Sequence, residues 1–115
     1  MGARAELESE DKALAAREQS ALVALVRGQK ARVLIEDPLI KEAFALMEKG
    51  VLEAWKASDG ADHAGRERLY HYQRAIRQFR QFFTEAVTTG KFAEREIAQI
   101  RKRRGFLGFR LRRAS

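Results

Sequence analysis

The chain contains no cysteine among its 115 residues, which excludes a disulfide framework and any thiolate-ligated metal. It has a single proline, Pro38, so almost nothing in the backbone opposes continuous helix. Its longest purely apolar run, Ala21 to Val26, falls far short of the ~20 residues that a helix needs to cross a bilayer. No alternating apolar and polar run bounded by turn residues is found, so no strand is expected. The opening residues carry Glu6, Glu8, Glu10 and Asp11 where a secretory signal would have a basic start and an apolar stretch. A soluble protein of a reducing compartment is the expectation. Acids are also missing from the end: none follows Glu96.

What is present favours helix. Ala, Leu, Glu, Arg, Lys and Gln dominate, and 45% hydrophobic with 34% charged residues suits one modest domain or a coiled coil. The formal charge of +7 has an address. Residues 1–96 hold 16 basic and 16 acidic residues, and the surplus is Arg101, Lys102, Arg103, Arg104, Arg110, Arg112 and Arg113. The body is neutral and the tail is basic.

The stretch from Arg66 to Thr89 has Leu69, Tyr72, Ile76, Phe79, Phe83 and Val87 at helical spacing, one apolar face that needs a partner. Gly90 is expected to close this helix by a left-handed cap. Asp37-Pro38 marks a helix start, since aspartate accepts from first-turn N–H groups and proline has none to waste. That helix carries Ile40, Phe44, Met47, Val51 and Trp55 on its apolar face. Between the two, residues 58–65 hold two glycines and two aspartates, a short turn in which Asp62 is placed to cap the second helix. A short connection makes the two helices antiparallel neighbours.

The N-terminal segment, from about residue 5 to 32, is helix-favouring but weakly amphipathic. Before residue 20 its apolar stripe is thin and broken by acids, and that part reads as a solvated helix, a short oligomer-forming coil or a frayed arm; from Ala21 the pattern is denser, with Gly28 as a bend or break. A further short helix is expected from Lys91 to about Arg104, with Phe92, Ala93, Ile97 and Ile100 as its buried side, and Gly105 and Gly108 are expected to break it. The fold expectation is therefore all-α: an antiparallel helical hairpin core with an additional N-terminal helix and a short C-terminal helix plus basic tail. The corresponding divisions are 1–36, 37–104 and 105–115.

No catalytic residue, metal ligand or cofactor site is indicated. His63 and His71 do not have zinc-ligand spacing, and Asp59, Asp62 and His63 are explained by turn and capping roles. The functional lead is the tail. Arg101, Lys102, Arg103 and Arg104, followed by Phe106, Phe109, Arg110, Arg112 and Arg113, combine phosphate-neutralising cations with rings that stack on bases. The same residues suit docking on a protein or, less well, an acidic membrane surface. Arg74 and Arg77 lie three apart on the long helix and add a second basic patch. A helix-turn-helix reading of Gln78 to Arg104 would present Lys91, Arg95, Gln99 and Lys102 to a groove, with Glu94 and Glu96 opposing it. The alternative function is a helical protein–protein interaction module, for assembly or inhibition, without nucleic acid.

The order Glu36-Asp37-Pro38-Leu39, a phenylalanine at Phe44, Trp55, Gly65-Arg66-Glu67-Arg68-Leu69 and Val87-Thr88-Thr89-Gly90-Lys91-Phe92-Ala93 resembles small α-helical proteins of tailed phages, prophages and gene transfer agents. These are encoded near head and packaging genes and include small terminase-like proteins. The resemblance covers about residues 30–95. It implies a non-enzymatic protein that binds DNA or organises a packaging complex, as a homo-oligomer or with a phage protein partner, in the bacterial host cytoplasm or in the virion. Small terminases often carry a separate N-terminal DNA-binding domain. The acidic N-terminal segment here does not fit one, which shifts DNA contact to the tail.

Overall fold

In a computed structural model, which describes residues 2–114, the chain is all-α, with three helices and no strand among the described residues. Helix α1 spans Gly2–Glu36, α2 spans Pro38–Ala57 and α3 spans His63–Ala114. The two junctions form as their residues dictate. Asp37 accepts from the backbone N–H groups of Leu39 (2.8 Å) and Ile40 (3.2 Å), with Pro38 opening α2. Ser58 ends α2, its hydroxyl donating to the Trp55 carbonyl at 2.6 Å. Asp59 accepts from Ala61 N–H and Asp62 from Gly65 N–H, both at 2.9 Å, and the second contact starts α3.

Three glycine expectations are corrected. Gly90 does not end a helix, and Gly105 and Gly108 do not break one, because α3 runs through all three. Gly28 likewise lies inside an unbroken α1. No glycine among the described residues has positive φ. A glycine costs a helix only about 1 kcal/mol relative to alanine, and lateral packing of these helices outweighs it. The expected short C-terminal helix and loose tail are therefore one continuous stretch of α3.

The chain divides into two compact units, residues 1–29 with 86–115, and residues 30–85, rather than at 36 and 104. In the first, the beginning of α1 lies antiparallel to the end of α3. Leu7, Leu14, Ala21 and Gly28 recur every seventh residue, and so do Ala86, Ala93, Ile100 and Leu107. Leu14, Ile100 and Leu107 form one buried cluster with Leu7 against it. Ala21, Ala93 and Ile97 form the next, covered by Leu22, Ala24 and Leu25. Side chains shrink along the seam until Gly28 meets Gly90 and Ala86. A Cβ added to Gly28 would lie 2.8 Å from both the Ala86 carbonyl oxygen and the Gly90 Cα. These two glycines are small so that two backbones can touch.

In the second unit, α2 and the first half of α3 run antiparallel, with Phe44 against Phe79 (ring centroids 5.8 Å) and Trp55 against Arg66. Phe44 is buried, and Ile40, Val51, Leu69, Ile76 and Phe83 are partly so. Met47, Trp55, Tyr72 and Phe79, expected in the core, remain exposed. Two facing helices cover only one stripe of each other, and the flanks of that stripe meet water.

Candidate functional site: the outward face of the C-terminal half of α3

The acid-free end of the chain is divided by its packing. Three of its seven cations face α1 and find carboxylates there. The Arg103 guanidinium donates to both Glu10 oxygens at 2.8 and 3.1 Å. Arg104 donates to Asp11 at 2.9 Å and Glu18 at 3.3 Å, and Arg101 donates to the other Glu18 oxygen at 3.3 Å. One residue pair earlier, Arg17 meets Glu96 at 2.8 Å. Glu18, with a side chain only 13% exposed, thus serves two arginines. Glu10, Asp11 and Glu18 of the N-terminal segment are the counter-charges of Arg103, Arg104 and Arg101.

These pairs leave a titration signature. The hydrogen bond from Arg103 holds the Glu10 carboxyl below its ordinary value of 4.5, and the Arg103 and Arg104 guanidiniums are pushed up by their carboxylate partners. A carboxyl with a depressed folded-state pKa stabilises the fold fully above its unfolded value, and that contribution disappears as pH falls through the lower one. Thermal stability is accordingly expected to be flat from neutrality to about pH 5 and to fall below about pH 4.5, with Glu10→Gln flattening part of that fall. A curve in which the variant and the parent lose stability identically would show the Glu10 pair to be inert.

The other face of the same half of α3 is different. At ~100° per residue, Lys91, Phe92, Arg95, Lys102, Phe106, Phe109, Arg110 and Arg113 fall within about a third of the helix circumference. No Asp or Glu of residues 86–114 shares that arc. The five cations are exposed and have no carboxylate partner among the described residues. Phe92, Phe106 and Phe109 are exposed as well, with Arg95 over Phe92 at 5.9 Å, Arg110 over Phe106 at 5.8 Å and Arg113 over Phe109 at 5.6 Å. At ~1.5 Å per residue the stripe is about 33 Å long. Leu107, fully buried, falls about 60° outside that arc, so the stripe lies off the buried seam.

The sequence-predicted residues separate accordingly. Lys102, Phe106, Phe109, Arg110 and Arg113 come together on the outward face, joined by Lys91 and Arg95. Arg103 lies at the edge of the arc and is tied to Glu10, Arg101 and Arg104 are tied to α1, and Arg112 lies off the arc. Arg74 and Arg77 belong to the other unit. Phe92 was missed as a site residue because it read as a buried position of a short helix. The seven-residue recurrence at 86, 93, 100 and 107 is the signal that places it outside. On α3, His71 Nε2 lies 3.6 Å from Glu67 one turn before it, and in the preceding turn Asp59 and Asp62 accept from backbone N–H groups.

The fold thus defines an all-α protein of paired helices, none of which, among the described residues, is long and apolar enough to cross a membrane. Comparison of the chain with family models, with curated proteins and with solved structures finds no match in any of the three.

Proposed function

We propose that the protein is a non-enzymatic nucleic-acid-binding protein, of the kind that accompanies DNA packaging in tailed phages and gene transfer agents, and that the outward face of α3 is its contact surface. The observation that carries this reading is the acid-free stripe of Lys91, Arg95, Lys102, Arg110 and Arg113, exposed and without carboxylate partners among the described residues. Cations in this condition release counterions when they meet phosphates, which is the main driving force of sequence-independent binding. The exposed phenylalanines between them offer surfaces to bases or sugars. Packaging is carried by the resemblance of residues 30–95, and nucleic acid by the stripe.

The test separates the two sets of cations. Affinity for duplex DNA is expected to fall steeply with salt. Changing Lys91, Arg95, Lys102, Arg110 and Arg113 together to Gln should remove roughly four units from the slope of log affinity against log salt concentration, at about 0.9 per phosphate contact. Changing Arg101 and Arg104 to Gln should leave that slope nearly unchanged while lowering thermal stability. If the five-site variant binds as the parent does, the surface is elsewhere.

The alternative is a helical module that binds protein alone. It is favoured by the exposed Leu39, Leu46, Tyr72, Phe79 and Phe82, a density of apolar surface unusual for a chain that stays single.

A further inference from the structure

A second surface lies wholly within residues 30–85 and is independent of the basic stripe. Between α2 and the first half of α3 runs an open groove of about 800 Å³. Its floor is Val51, Leu52, Trp55, Leu69, Tyr70 and Ile76. Trp55 is 42% exposed and Leu52 is 52% exposed, so the groove holds large apolar side chains that its own unit leaves about half uncovered. One wall is cationic. Arg66, Arg77 and Arg80 line it on α3, and Arg74 stands one turn before Arg77.

The state of these arginines decides what fits. Arg80 is matched by Glu48 at 2.7 Å. Arg66 stacks on Trp55 at 4.2 Å and donates to the Ser58 hydroxyl at 3.1 Å, contacts that use no carboxylate. Arg74 and Arg77 have no ion pair among the described residues. Glu67, the other acid of the lining, faces His71 at 3.6 Å. The wall therefore offers unmatched positive charge above an apolar floor. Along α3 it extends from Arg66 to Arg80, ~21 Å or about four turns of helix.

We infer that this groove receives an acidic amphipathic helix from a partner protein, its apolar face on Trp55, Leu52 and Tyr70 and its carboxylates against Arg66, Arg74 and Arg77. Anchor residues at helical spacing on an apolar floor are the usual form of such recognition, and the cationic wall sets its sign. A second copy of this chain does not meet the requirement. Its most acidic stretch is Glu6 to Glu18, and there Glu10, Asp11 and Glu18 are engaged by Arg103, Arg104 and Arg101 while Leu7 and Leu14 are packed against Ile100 and Leu107. Helix α2 balances three lysines with three glutamates, and residues 63–85 carry five arginines against two glutamates, so a copy would bring neutral or like charge to the wall.

Trp55, the only tryptophan, reports on the site directly. The full chain is titrated with an 18-residue peptide bearing leucines on one helical face and glutamates on the rest, and with its lysine-for-glutamate counterpart, while Trp55 emission is followed. The acidic peptide is expected to give a saturable blue shift, with an affinity at least tenfold above that of the basic one. Arg74→Glu with Arg77→Glu should weaken it about tenfold, and Leu52→Ser should do likewise, with helical circular dichroism unchanged in both. Equal shifts from the two peptides, or no shift from either, would overturn the assignment. So would a shift of Trp55 emission on concentrating the protein alone, with doubled mass in light scattering, since a second copy would then be the occupant.

Discussion

Replacing Gly28 by alanine is expected to destabilise the protein by about 1–3 kcal/mol, although alanine is the better helix former. In an isolated helix the same change gains roughly 1 kcal/mol. Here the new methyl would stand 2.8 Å from the Ala86 carbonyl oxygen and from the Gly90 Cα. Both are backbone atoms of α3 and cannot rotate aside as a side chain would. The two helices must move apart, and doing so loosens Ala21, Ala93 and Ile97 as well. Gly90→Ala meets the Gly28 Cα at 3.0 Å and should act in the same direction. For a chain of this size the change corresponds to a fall in melting temperature of very roughly 5–10 °C. The control is Gly50→Ala: nothing lies within 4 Å of a Cβ at that helical position, and the substitution should stabilise by about 0.5–1 kcal/mol. If Gly28→Ala and Gly50→Ala both stabilise, the backbones do not touch as described.

Leu107→Ala should cost about 2–5 kcal/mol, the range for a buried leucine cut back to alanine, and should do so from a position eight residues before the last. Its side chain is fully buried between Leu14, Ile100 and Leu7. Phe109→Ala, two residues on, removes a larger apolar group and should cost well under half as much, because Phe109 is 51% exposed, with Arg113 over its ring. The contrast bears on how the basic end is tested. Deleting residues 101–115 would remove Leu107 and the three arginines bound to α1 together with the outward cations, so lost nucleic-acid binding could mean lost fold. Charge substitution on the outward face leaves the seam intact. Urea denaturation of Leu107→Ala and Phe109→Ala separates the cases, and equal loss from both would show the end of α3 to be unpacked.

Where local chemistry decides, the sequence was legible. Asp37-Pro38 starts a helix in any surroundings, because the carboxylate satisfies N–H groups two and three residues on and proline has none to leave unpaired. Ser58 to Asp62 makes a turn for related reasons, its hydroxyl and carboxylates taking backbone groups that helix would otherwise use. The apolar stripe from Leu69 to Phe83 identified the face that meets α2. The glycines were not legible. A glycine that ends a helix and a glycine at which two helices touch have the same neighbours in sequence, and only the presence of Gly28 opposite Gly90 separates them.

The candidate site shows the same division. Composition alone located the surplus charge after Glu96. Which of those cations are free was settled by a contact across more than eighty residues of chain: Glu10, Asp11 and Glu18 lie where Arg103, Arg104 and Arg101 arrive. Hydropathy did not foresee that contact, since half of its seam is alanine and glycine, which carry little hydrophobic signal and act by letting backbones approach. By itself the sequence determined that the chain is helical, where α2 starts and where the turn into α3 falls, because capping and periodicity act over a few residues. Only the tertiary structure decided that α3 continues through Gly90, Gly105 and Gly108, and which side of it keeps its charge, because close approach and ion pairing depend on what a distant segment places opposite.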